Sequence, residues 1–380
     1  MPRIAILGAN GQVGAELCLL LRRYPGIELV PVCRNLTGSA FLRYNGIACR
    51  HGRPADSTAA PGLFGDCDVI VNCALGSGTP AEIRAFDRKL IRNIFNSSKP
   101  NATVIHCSTL MVHGDPRPGR LWRVRDAYGR AKRAAEGFVD AESKRSGRRC
   151  FILRLGHVCG PLQNITAKIR KEIASGQVLL PDRDVQSNTV YTVTIVDAID
   201  SILSGKERPG TFDLTNAPQW TWREVYTYEG AQCQRAVVPQ LVASPTNAGL
   251  SGQALAWTRR ALGAWARAGV VRRTLERVLA LASPALNDRA QAIWLKMRAR
   301  AEIGALGAGT TPAPELSWIP LDRRTLTCLQ PTVSLLAKDL YLGLTSDIQS
   351  RWPRDLELAF EAPHGARRLP EVQSPPRSVP

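Results

Sequence analysis

Two side chains suited to proton transfer, Tyr128 and Lys132, lie four residues apart in a stretch with a helical pattern, 128–145. Residues i and i+4 share one face of a helix, so the phenol and the ammonium can meet. A free tyrosine has a pKa of about 10 and is a poor base at neutral pH, but a fixed cation nearby lowers that pKa. The pair therefore suits proton transfer to or from an alcohol oxygen during hydride transfer. The same spacing is also typical of an ordinary surface tyrosine and lysine.

Two hydroxyl residues follow an apolar run about twenty residues before Tyr128. The run 103–107 predicts a buried strand, and Ser108 and Thr109 come directly after it. Ligands of a doubly wound sheet bind at the carboxyl ends of its strands, so we expect Ser108 or Thr109 to hydrogen-bond the reacting oxygen. A turn or a helix N-cap is the alternative role for such a pair.

Three evenly spaced glycines, Gly8, Gly11 and Gly14, join an apolar run at 3–7 to a helical pattern at 13–23. Glycines permit a tight turn and the close approach of the backbone to a pyrophosphate. The first turn of the helix then points unpaired N–H groups at the anion. The order of strand, glycine turn and helix predicts a phosphate-binding site at the start of the chain.

Apolar runs and helical patterns alternate through the first 230 residues. The candidate strands are 3–7, 28–33, 68–73, 103–107, 150–155 and 211–214, and the helical patterns are 13–23, 81–96, 128–145, 163–175 and 195–204. This alternation predicts an α/β fold with a Rossmann-type, doubly wound parallel sheet. Pro31 is awkward within the second strand because it removes a ladder donor.

The composition is strongly basic, with 380 residues, a net charge of +18 and a pI near 10.0. Such a charge favours acidic partners, namely phosphorylated substrates, anionic lipid surfaces or nucleic acid, although a general bias toward arginine explains it equally well. Nucleic-acid binding has only the charge to support it. The loop 115–126 suits a phosphorylated substrate or is a solvated basic loop. It contains Trp122 and the arginines Arg117, Arg120, Arg123 and Arg125.

The ten cysteines occur singly, with no CxxC and no Cys/His cluster of zinc spacing, so no metal site is predicted. Several lie in apolar runs, which is typical of small buried side chains in a reducing compartment. The first strand begins almost at Met1, which leaves no room for a signal peptide, and no run of 18 uncharged apolar residues occurs. We therefore expect a cytoplasmic protein, with attachment to a membrane surface left open.

Taken together, these motifs resemble those of the extended short-chain dehydrogenase/reductases, the NAD(P)-dependent epimerase/dehydratase family. Gly8, Gly11 and Gly14 fit its GxxGxxG, and Tyr128 and Lys132 fit its YxxxK. The segment 108–114 is similar to its SSxxVYG and places Thr109 at the catalytic Ser/Thr position. Further similar segments are 68–74, 153–161, 193–198 and, more weakly, 351–354. The resemblance covers roughly residues 1–225.

The resemblance implies a role for each matching residue. Tyr128 is the acid/base, Lys132 lowers its pKa and holds the nicotinamide ribose, and Thr109 holds the substrate oxygen. The implied cofactor-binding residues are Gly8, Asn10, Gly11, Gln12, Val13, Gly14, Arg34, Asn35, Cys73, Ala74, Ser108 and Lys132. The implied substrate is a nucleotide-activated sugar, and a homodimer is left open. Leu110 stands where a glutamate indicates a dehydratase, so epimerisation or reduction is preferred over dehydration.

The cofactor preference depends on Arg34. An acidic residue that binds the ribose 2′-hydroxyl is expected about twenty residues after the glycines. The second strand ends instead in Cys33, Arg34 and Asn35. An arginine can pair with a 2′-phosphate, so NADP is favoured over NAD, and stacking of Arg34 on the adenine of either cofactor is the alternative.

The implied domains are an NAD(P)-binding Rossmann domain with interleaved substrate segments at 1–230, a smaller, mainly helical region at 231–362 and a disordered tail at 363–380. The basic segment 250–303 is expected to form helices packed on the core, with an interfacial membrane segment as the alternative.

The sequence also departs from the family pattern. His113 replaces a usual tyrosine, Leu155 replaces a usual proline, and the third-strand region 46–56 lacks a clear Gly-Asp. The segment 231–345 resembles nothing that we can place. Two other functions therefore stay open: a non-catalytic NADP(H)-binding regulator or scaffold, and a membrane-surface reductase of a lipid-linked or hydrophobic alcohol or ketone.

Overall fold

The computed structural model describes residues 1–242, except 23, 25, 36, 77–78, 114–121, 161, 177, 183–184, 217–218 and 233–234, together with Cys328–Leu329. The strands are β1 Arg3–Leu7, β2 Glu28–Cys33, β3 Arg50–His51, β4 Val69–Asn72, β5 Thr103–Thr109, β6 Cys150–Leu155, β7 His157–Cys159, β8 Leu179–Pro181, β9 Thr189–Tyr191, β10 Gly210–Leu214, β11 Gln240–Val242 and β12 Cys328–Leu329.

The helices alternate with these strands. They are α1 Gln12–Leu21, α2 Ala40–Tyr44, α3 Ala60–Phe64, α4 Pro80–Ser97, α5 Trp122–Ser146, α6 Asn164–Ser175, α7 Thr192–Leu203 and α8 Trp222–Gln232. Short 3-10 turns cover Thr37–Ser39 and Leu110–His113.

The central sheet is parallel and has the strand order β3, β2, β1, β4, β5, β6, β10, with β12 paired to the outer side of β10. The order reverses at β1, whose neighbours are β2 and β4. Ligands of doubly wound sheets bind at such a switch point, outside the carboxyl ends of the strands. The predicted α/β, doubly wound parallel fold is confirmed.

Helices cover both faces of the sheet, and β1 shows why its strands are apolar throughout. Ile4 and Ile6 pack on the face that α1 and α7 cover, whereas Ala5 and Leu7 pack on the face of α3, α4 and α5. Successive side chains of a strand point to opposite faces, so a strand buried on both faces needs an unbroken apolar run.

Several short elements were missing from the sequence prediction. The strands β3, β7, β8, β9 and β11 have only two or three residues, too few to show a period of two. The helices α2 and α3 have five residues each. α5 begins at Trp122 rather than at 128, and α7 begins at Thr192 rather than at 195.

Pro31 is accommodated because β2 has a neighbour on one side only at that point. It pairs with Ile6 of β1, while β3 reaches only Val32 and Cys33. On the side away from β1, pairing with β3 begins only after Pro31. The backbone N–H that proline lacks therefore removes no hydrogen bond from that ladder.

The start of α4 is fixed by a capping box. The backbone N–H of Glu82 donates to the Thr79 hydroxyl, the Glu82 carboxylate accepts from the Thr79 N–H at 2.7 Å, and Pro80 occupies the first helical turn. This cap begins the helix a few residues after β4 and so places its N-terminal half beside the switch point.

Candidate active site

The glycine turn after β1 is closed against the end of β4. Gly8 has φ +77°, and a Cβ there would lie 2.8 Å from both the Cα and the N atom of Ala74. A Cβ on Gly14 would lie 2.4 Å from the carbonyl oxygen of Gly8. Only glycine fits either place, because both contacts are made by backbone. No side chain covers the backbone of this turn at Gly8 or Gly14, so a pyrophosphate can approach it closely.

Helix α1 begins directly behind this turn. Gly11 precedes the first helical residue and donates its N–H to the Gly8 carbonyl at 2.9 Å. The first turn of the helix carries no acidic residue, so its N–H groups present an uncompensated partial positive charge. The turn therefore suits an anion, and a dinucleotide pyrophosphate fits its chemistry.

A cavity of about 1650 Å³ opens from the glycine turn along β2, β4, α4 and α5. Six of the expected cofactor-binding residues line it: Gly8, Asn10, Gly11, Arg34, Cys73 and Ala74. The structure therefore brings residues from three separate carboxyl strand ends to one cavity, as the strand order requires.

Other expected cofactor residues are engaged elsewhere through their side chains. Gln12 donates to Asn164 Oδ1 at 2.5 Å, Val13 packs against the core, and Asn35 Oδ1 accepts from the Gly38 N–H at 2.8 Å. Asn35 holds the turn that follows Arg34. The backbones of Gln12 and Val13 lie in the first turn of α1, next to the glycine turn.

The charged residues of the cavity wall are mainly cations. Its described lining includes a single carboxylate, Asp56, against seven cations: Arg34, Arg53, Arg84, Arg88, Lys89, Arg92 and Arg130. Sequence reasoning missed Arg53, Asp56 and Ser57, which follow the two-residue strand β3. The one signal for these residues was their position after the end of a strand. That signal could not be used, because β3 has only two residues and is too short to predict.

Thr109 is the last residue of β5 and lies at the carboxyl end of the sheet. Its hydroxyl oxygen accepts the N–H of Met111 at 3.3 Å, which starts the 3-10 turn Leu110–His113. The hydroxyl hydrogen of Thr109 is not used by this bond. It can therefore be donated to an oxygen that approaches the strand end.

Lys132 is buried on α5, which packs against β5. Its Nζ donates to the carbonyl oxygen of Cys107 at 3.1 Å. Tyr128 lies one helical turn earlier and is 41% exposed. The catalytic side chains predicted on α5 are thus a buried lysine, held by β5, and a phenol at the surface.

The pKa of Tyr128 is raised in this structure. Partial burial is the main cause, and the negative charges of Cys107 and Asp87 add to it. The sequence led us to expect the opposite direction, because Lys132 was expected to favour the phenolate. The observed bond of Lys132 to the Cys107 carbonyl explains the difference, since the ammonium is turned toward the strand.

A chain of polar side chains runs behind Thr109. Ser108 donates its hydroxyl to Glu136 of α5, and Glu136 pairs with Arg154 of β6 at 2.8 Å. Arg154 lies 3.8 Å from Asp213 of β10, which pairs with His113 at 3.0 Å. The Ser108 side chain, expected to bind cofactor, is buried and serves this network instead.

Sequence reasoning missed these pairs because the partners lie far apart in the chain. Asp213 and His113 are 100 residues apart, and Arg154 and Glu136 are 18 apart. The one signal in the sequence was His113, which stands where the family usually has a tyrosine. In the structure this histidine contacts the carboxylate of Asp213.

Glu16 connects α1 to the second half of the domain. It is buried on α1 and accepts from the Leu162 N–H at 3.1 Å, from Gln163 Nε2 at 2.8 Å and from the Thr192 hydroxyl. Burial raises the pKa of this carboxyl to about 7, and the hydrogen bonds from Gln163, Thr192 and Leu162 oppose that shift.

Some sequence predictions lie outside the described residues. These are most of the loop 115–126 with Arg117 and Arg120, the side chains of Trp122, Arg123 and Arg125, the segment 250–303 and the segment 351–354. Among the residues that the structure does describe, no three His, Cys, Asp or Glu side chains form a metal-binding group. No helix in that same part is long and apolar enough to cross a bilayer.

Comparison with known proteins gives three findings. The sequence model of the NAD dependent epimerase/dehydratase family matches residues 4–214, more than half of the chain. The spore coat polysaccharide biosynthesis protein SpsK of Bacillus subtilis (strain 168) is 23% identical over 241 residues, 60% of this chain and 78% of SpsK. The crystal structure of UDP-N-acetylglucosamine 4-epimerase from Bacillus cereus is similar in fold, with a TM-score of 0.51 at 17% identity, over 64% of this chain and 86% of that one.

Proposed function

Because the chain belongs to the NAD dependent epimerase/dehydratase family, we propose that it is an NAD(P)-dependent epimerase or reductase that acts on a hydroxyl or keto carbon of a nucleotide sugar. The observation that carries the proposal is the closed glycine turn at Gly8 and Ala74. It opens into a cationic cavity that α5, the helix of Tyr128 and Lys132, borders.

The cofactor would be held by the residues that meet at the switch point. The bare backbone of Gly8 and Gly11, with the first turn of α1, suits its pyrophosphate, and Cys73 and Ala74 border the same cavity. When bound, the nicotinamide supplies the hydride acceptor or donor.

The protein's own residues would bind the substrate oxygen and transfer its proton. Thr109 donates its hydroxyl hydrogen to the substrate oxygen and so holds it at the end of β5. Tyr128 takes the proton from that oxygen or returns it. Lys132, whose ammonium donates to the Cys107 carbonyl in this structure, would contact the nicotinamide ribose and, once turned toward Tyr128, supply a positive charge that favours the tyrosinate.

NADP is the cofactor that the cavity favours. Arg34 is exposed at the end of β2 and lines the cavity where a ribose 2′-hydroxyl would require an acidic partner. A guanidinium matches a phosphate in charge and geometry. NAD, the cofactor in the family's description, is the alternative.

A nucleotide sugar is the proposed substrate class. The polysaccharide role in the name of SpsK and the sugar-nucleotide substrate in the name of the Bacillus cereus epimerase both support it. Epimerisation or reduction is preferred over dehydration because Leu110 follows Thr109. Whether the chain forms a homodimer, or reaches a membrane surface through 250–303, stays a prediction.

A cofactor-binding protein without turnover is the second candidate. It is favoured by the raised pKa of Tyr128 and by the direction of Lys132 toward the Cys107 carbonyl. The first observation describes a phenol that is a weaker acid, whereas catalysis at neutral pH needs a stronger one, and the second describes an ammonium that is held by β5.

Purified full-length protein should be assayed with NADP or NAD and a panel of nucleotide sugars. The absorbance of the reduced nicotinamide and the sugar products are followed by spectrophotometry and chromatography. Conversion of a nucleotide sugar supports the proposed enzyme. Tight cofactor binding with no conversion in the whole panel supports the second candidate, and no binding of either cofactor contradicts both.

A further inference from the structure

Two cysteines meet at the end of the strands that border the cofactor cavity. The Sγ atoms of Cys73 and Cys107 are 3.5 Å apart. Asn72 of β4 and His106 of β5 are register partners, so the two cysteines stand opposite each other one residue further along. Neighbouring strands are about 4.8 Å apart, and this spacing lies within the Cα separation that a disulfide accepts, about 4.4–6.8 Å.

The two thiols differ in access and in charge. Cys73 is half-buried and lines the cavity, whereas Cys107 is buried beneath it. The pKa of the Cys107 thiol is lowered, first because Cys73 hydrogen-bonds to it and also because the Lys132 ammonium is close. The pair thus loses its first proton more readily than an isolated buried thiol.

From this juxtaposition we propose that Cys73 and Cys107 form an oxidisable dithiol site, which a peroxide converts to a disulfide within the cofactor-binding region. The inference concerns this pair alone and does not depend on the proposed substrate or reaction.

The reaction balances with hydrogen peroxide as the oxidant. The pair first releases the proton of Cys107, and the remaining proton stays on Cys73, whose pKa is raised by its hydrogen bond to Cys107. Transfer of that proton to Cys107 leaves a thiolate at Cys73, the sulfur that faces the cavity. This thiolate attacks one peroxide oxygen, the O–O bond breaks, and Cys73 becomes a sulfenic acid as hydroxide leaves. The first hydroxide takes the proton of the Cys107 thiol and becomes water. The Cys107 thiolate then attacks the Cys73 sulfur, the S–S bond forms, and the second hydroxide leaves and takes up the proton that the pair first released. Two thiols and one peroxide give one disulfide and two waters.

The disulfide would act on the cofactor site through two backbone contacts. Bond formation draws the sulfur atoms from 3.5 Å to about 2 Å apart. Cys73 directly precedes Ala74, which closes on Gly8, and the Cys107 carbonyl holds Lys132. Displacement of these groups would remove contacts to the cofactor, and each loss of about 1.4 kcal/mol weakens its affinity tenfold. We expect cofactor affinity to fall by roughly tenfold or more on oxidation.

Peptide mapping of peroxide-treated full-length protein tests the proposal directly. Trypsin, which does not cut before proline, leaves Cys107 as the one cysteine of the peptide 93–120, and leaves Cys73 in 51–84 together with Cys67. The expected product is a linked pair of these peptides, with a mass two hydrogens below the sum of the two. Its fragment ions should place the link at Cys73 rather than at Cys67. Dithiothreitol should restore both peptides.

Three variants sharpen the test. Cys73→Ser and Cys107→Ser should each abolish the linked peptides, and Cys150→Ser, a buried cysteine at the start of β6, should keep them. For each protein the ratio of cofactor affinities before and after peroxide is compared, so any effect of the substitution itself cancels. The ratio should return to one in the first two variants.

Other outcomes overturn the proposal. A linkage through Cys67, or a disulfide between Cys33 and Cys49, which form another close pair, would place the oxidisable site elsewhere. Peroxide treatment that leaves both peptides reduced while cofactor affinity falls would do the same. These results are independent of the assay for nucleotide-sugar conversion, so either inference can fail alone.

Discussion

The imidazole of His113 lies 3.0 Å from the carboxylate of Asp213, which is almost completely buried at the end of β10. His113 is the last residue of the 3-10 turn that follows Thr109. The pair therefore attaches the turn after the candidate catalytic threonine to a strand two places away in the sheet.

Replacing His113 by alanine should loosen that attachment. Asp213 would keep only Arg154, 3.8 Å away, and an incompletely paired buried carboxylate costs about 1–3 kcal/mol. We expect a loss of unfolding free energy of about that size and a lower kcat, with little change in cofactor affinity. His113→Gln, which retains a donor, should recover part of both. Denaturant unfolding and steady-state kinetics measure these effects, and an unchanged kcat in His113→Ala would contradict the positioning role.

Arg34→Asp should reverse or erase a preference for NADPH over NADH. The arginine can bind the 2′-phosphate, whereas aspartate would repel it and could bind the 2′-hydroxyl. A charge-assisted hydrogen bond contributes about 1.5–3 kcal/mol, so NADPH should bind roughly tenfold or more weakly. Fluorescence titration measures both affinities. Arg133→Asp, the same charge change at an exposed position outside the cavity lining, should leave the preference intact. Equal affinities in the unmutated chain would rule the preference out.

Tyr128→Phe should remove turnover but leave the cofactor bound, because it deletes only the oxygen that transfers the proton. General acid–base catalysis contributes roughly 10²–10⁴-fold, and the rate should fall on that scale. Lys132→Ala should lose turnover and also bind cofactor more weakly. Lys144→Ala, an exposed lysine near the end of the same helix, is the control and should keep both properties. Full activity in Tyr128→Phe would show that another group transfers the proton.

Glu16 should make the protein less stable as the pH rises from about 4.5 to 7. Burial raises the pKa of its carboxyl from 4.5 to about 7, so the folded state binds the proton more tightly than the unfolded state. The stabilisation that the Glu16 carboxyl adds to the unfolding free energy is complete below pH 4.5, and it is lost as the pH rises through 7. At 1.36 kcal/mol per pKa unit the change is about 3 kcal/mol.

The check is the unfolding free energy at pH 5 and pH 7.5, from denaturant titrations. Glu16→Gln should show a smaller decrease than the unmutated protein, because the amide does not titrate. Glu28→Gln, an exposed carboxyl on β2, should behave as the unmutated protein does. The same decrease in all three proteins would show that Glu16 is not the responsible group.

The phosphate cradle could be predicted from the sequence because all of its signals are local. Gly8, Gly11 and Gly14 lie within seven residues, between a strand and a helix that both show a clear pattern. Its partner across the cradle, Ala74, was predicted only through the family resemblance. The contact between Gly8 and Ala74 depends on the pairing of β1 with β4, which no local pattern specifies.

The polar network behind Thr109 could not be predicted for the same reason. Ser108 was expected to hydrogen-bond the reacting oxygen from its place at a strand end and, through the family resemblance, to bind cofactor. In the structure its hydroxyl donates to Glu136, in the middle of α5. The alternation of strands along the chain predicts that a parallel sheet forms. It does not predict which side chains of a helix and a distant strand meet on one face.

The backbone contact at Gly8 also has a consequence for the order of folding. Residues 8 and 74 are brought together across the β1–β4 pair, and a loop of that length must close before the contact exists. The glycine turn therefore acquires its final shape only after a long-range pairing step. We expect the nucleotide to stabilise the finished domain rather than to guide the early chain, and nascent protein that ends before β4 to lack dinucleotide affinity.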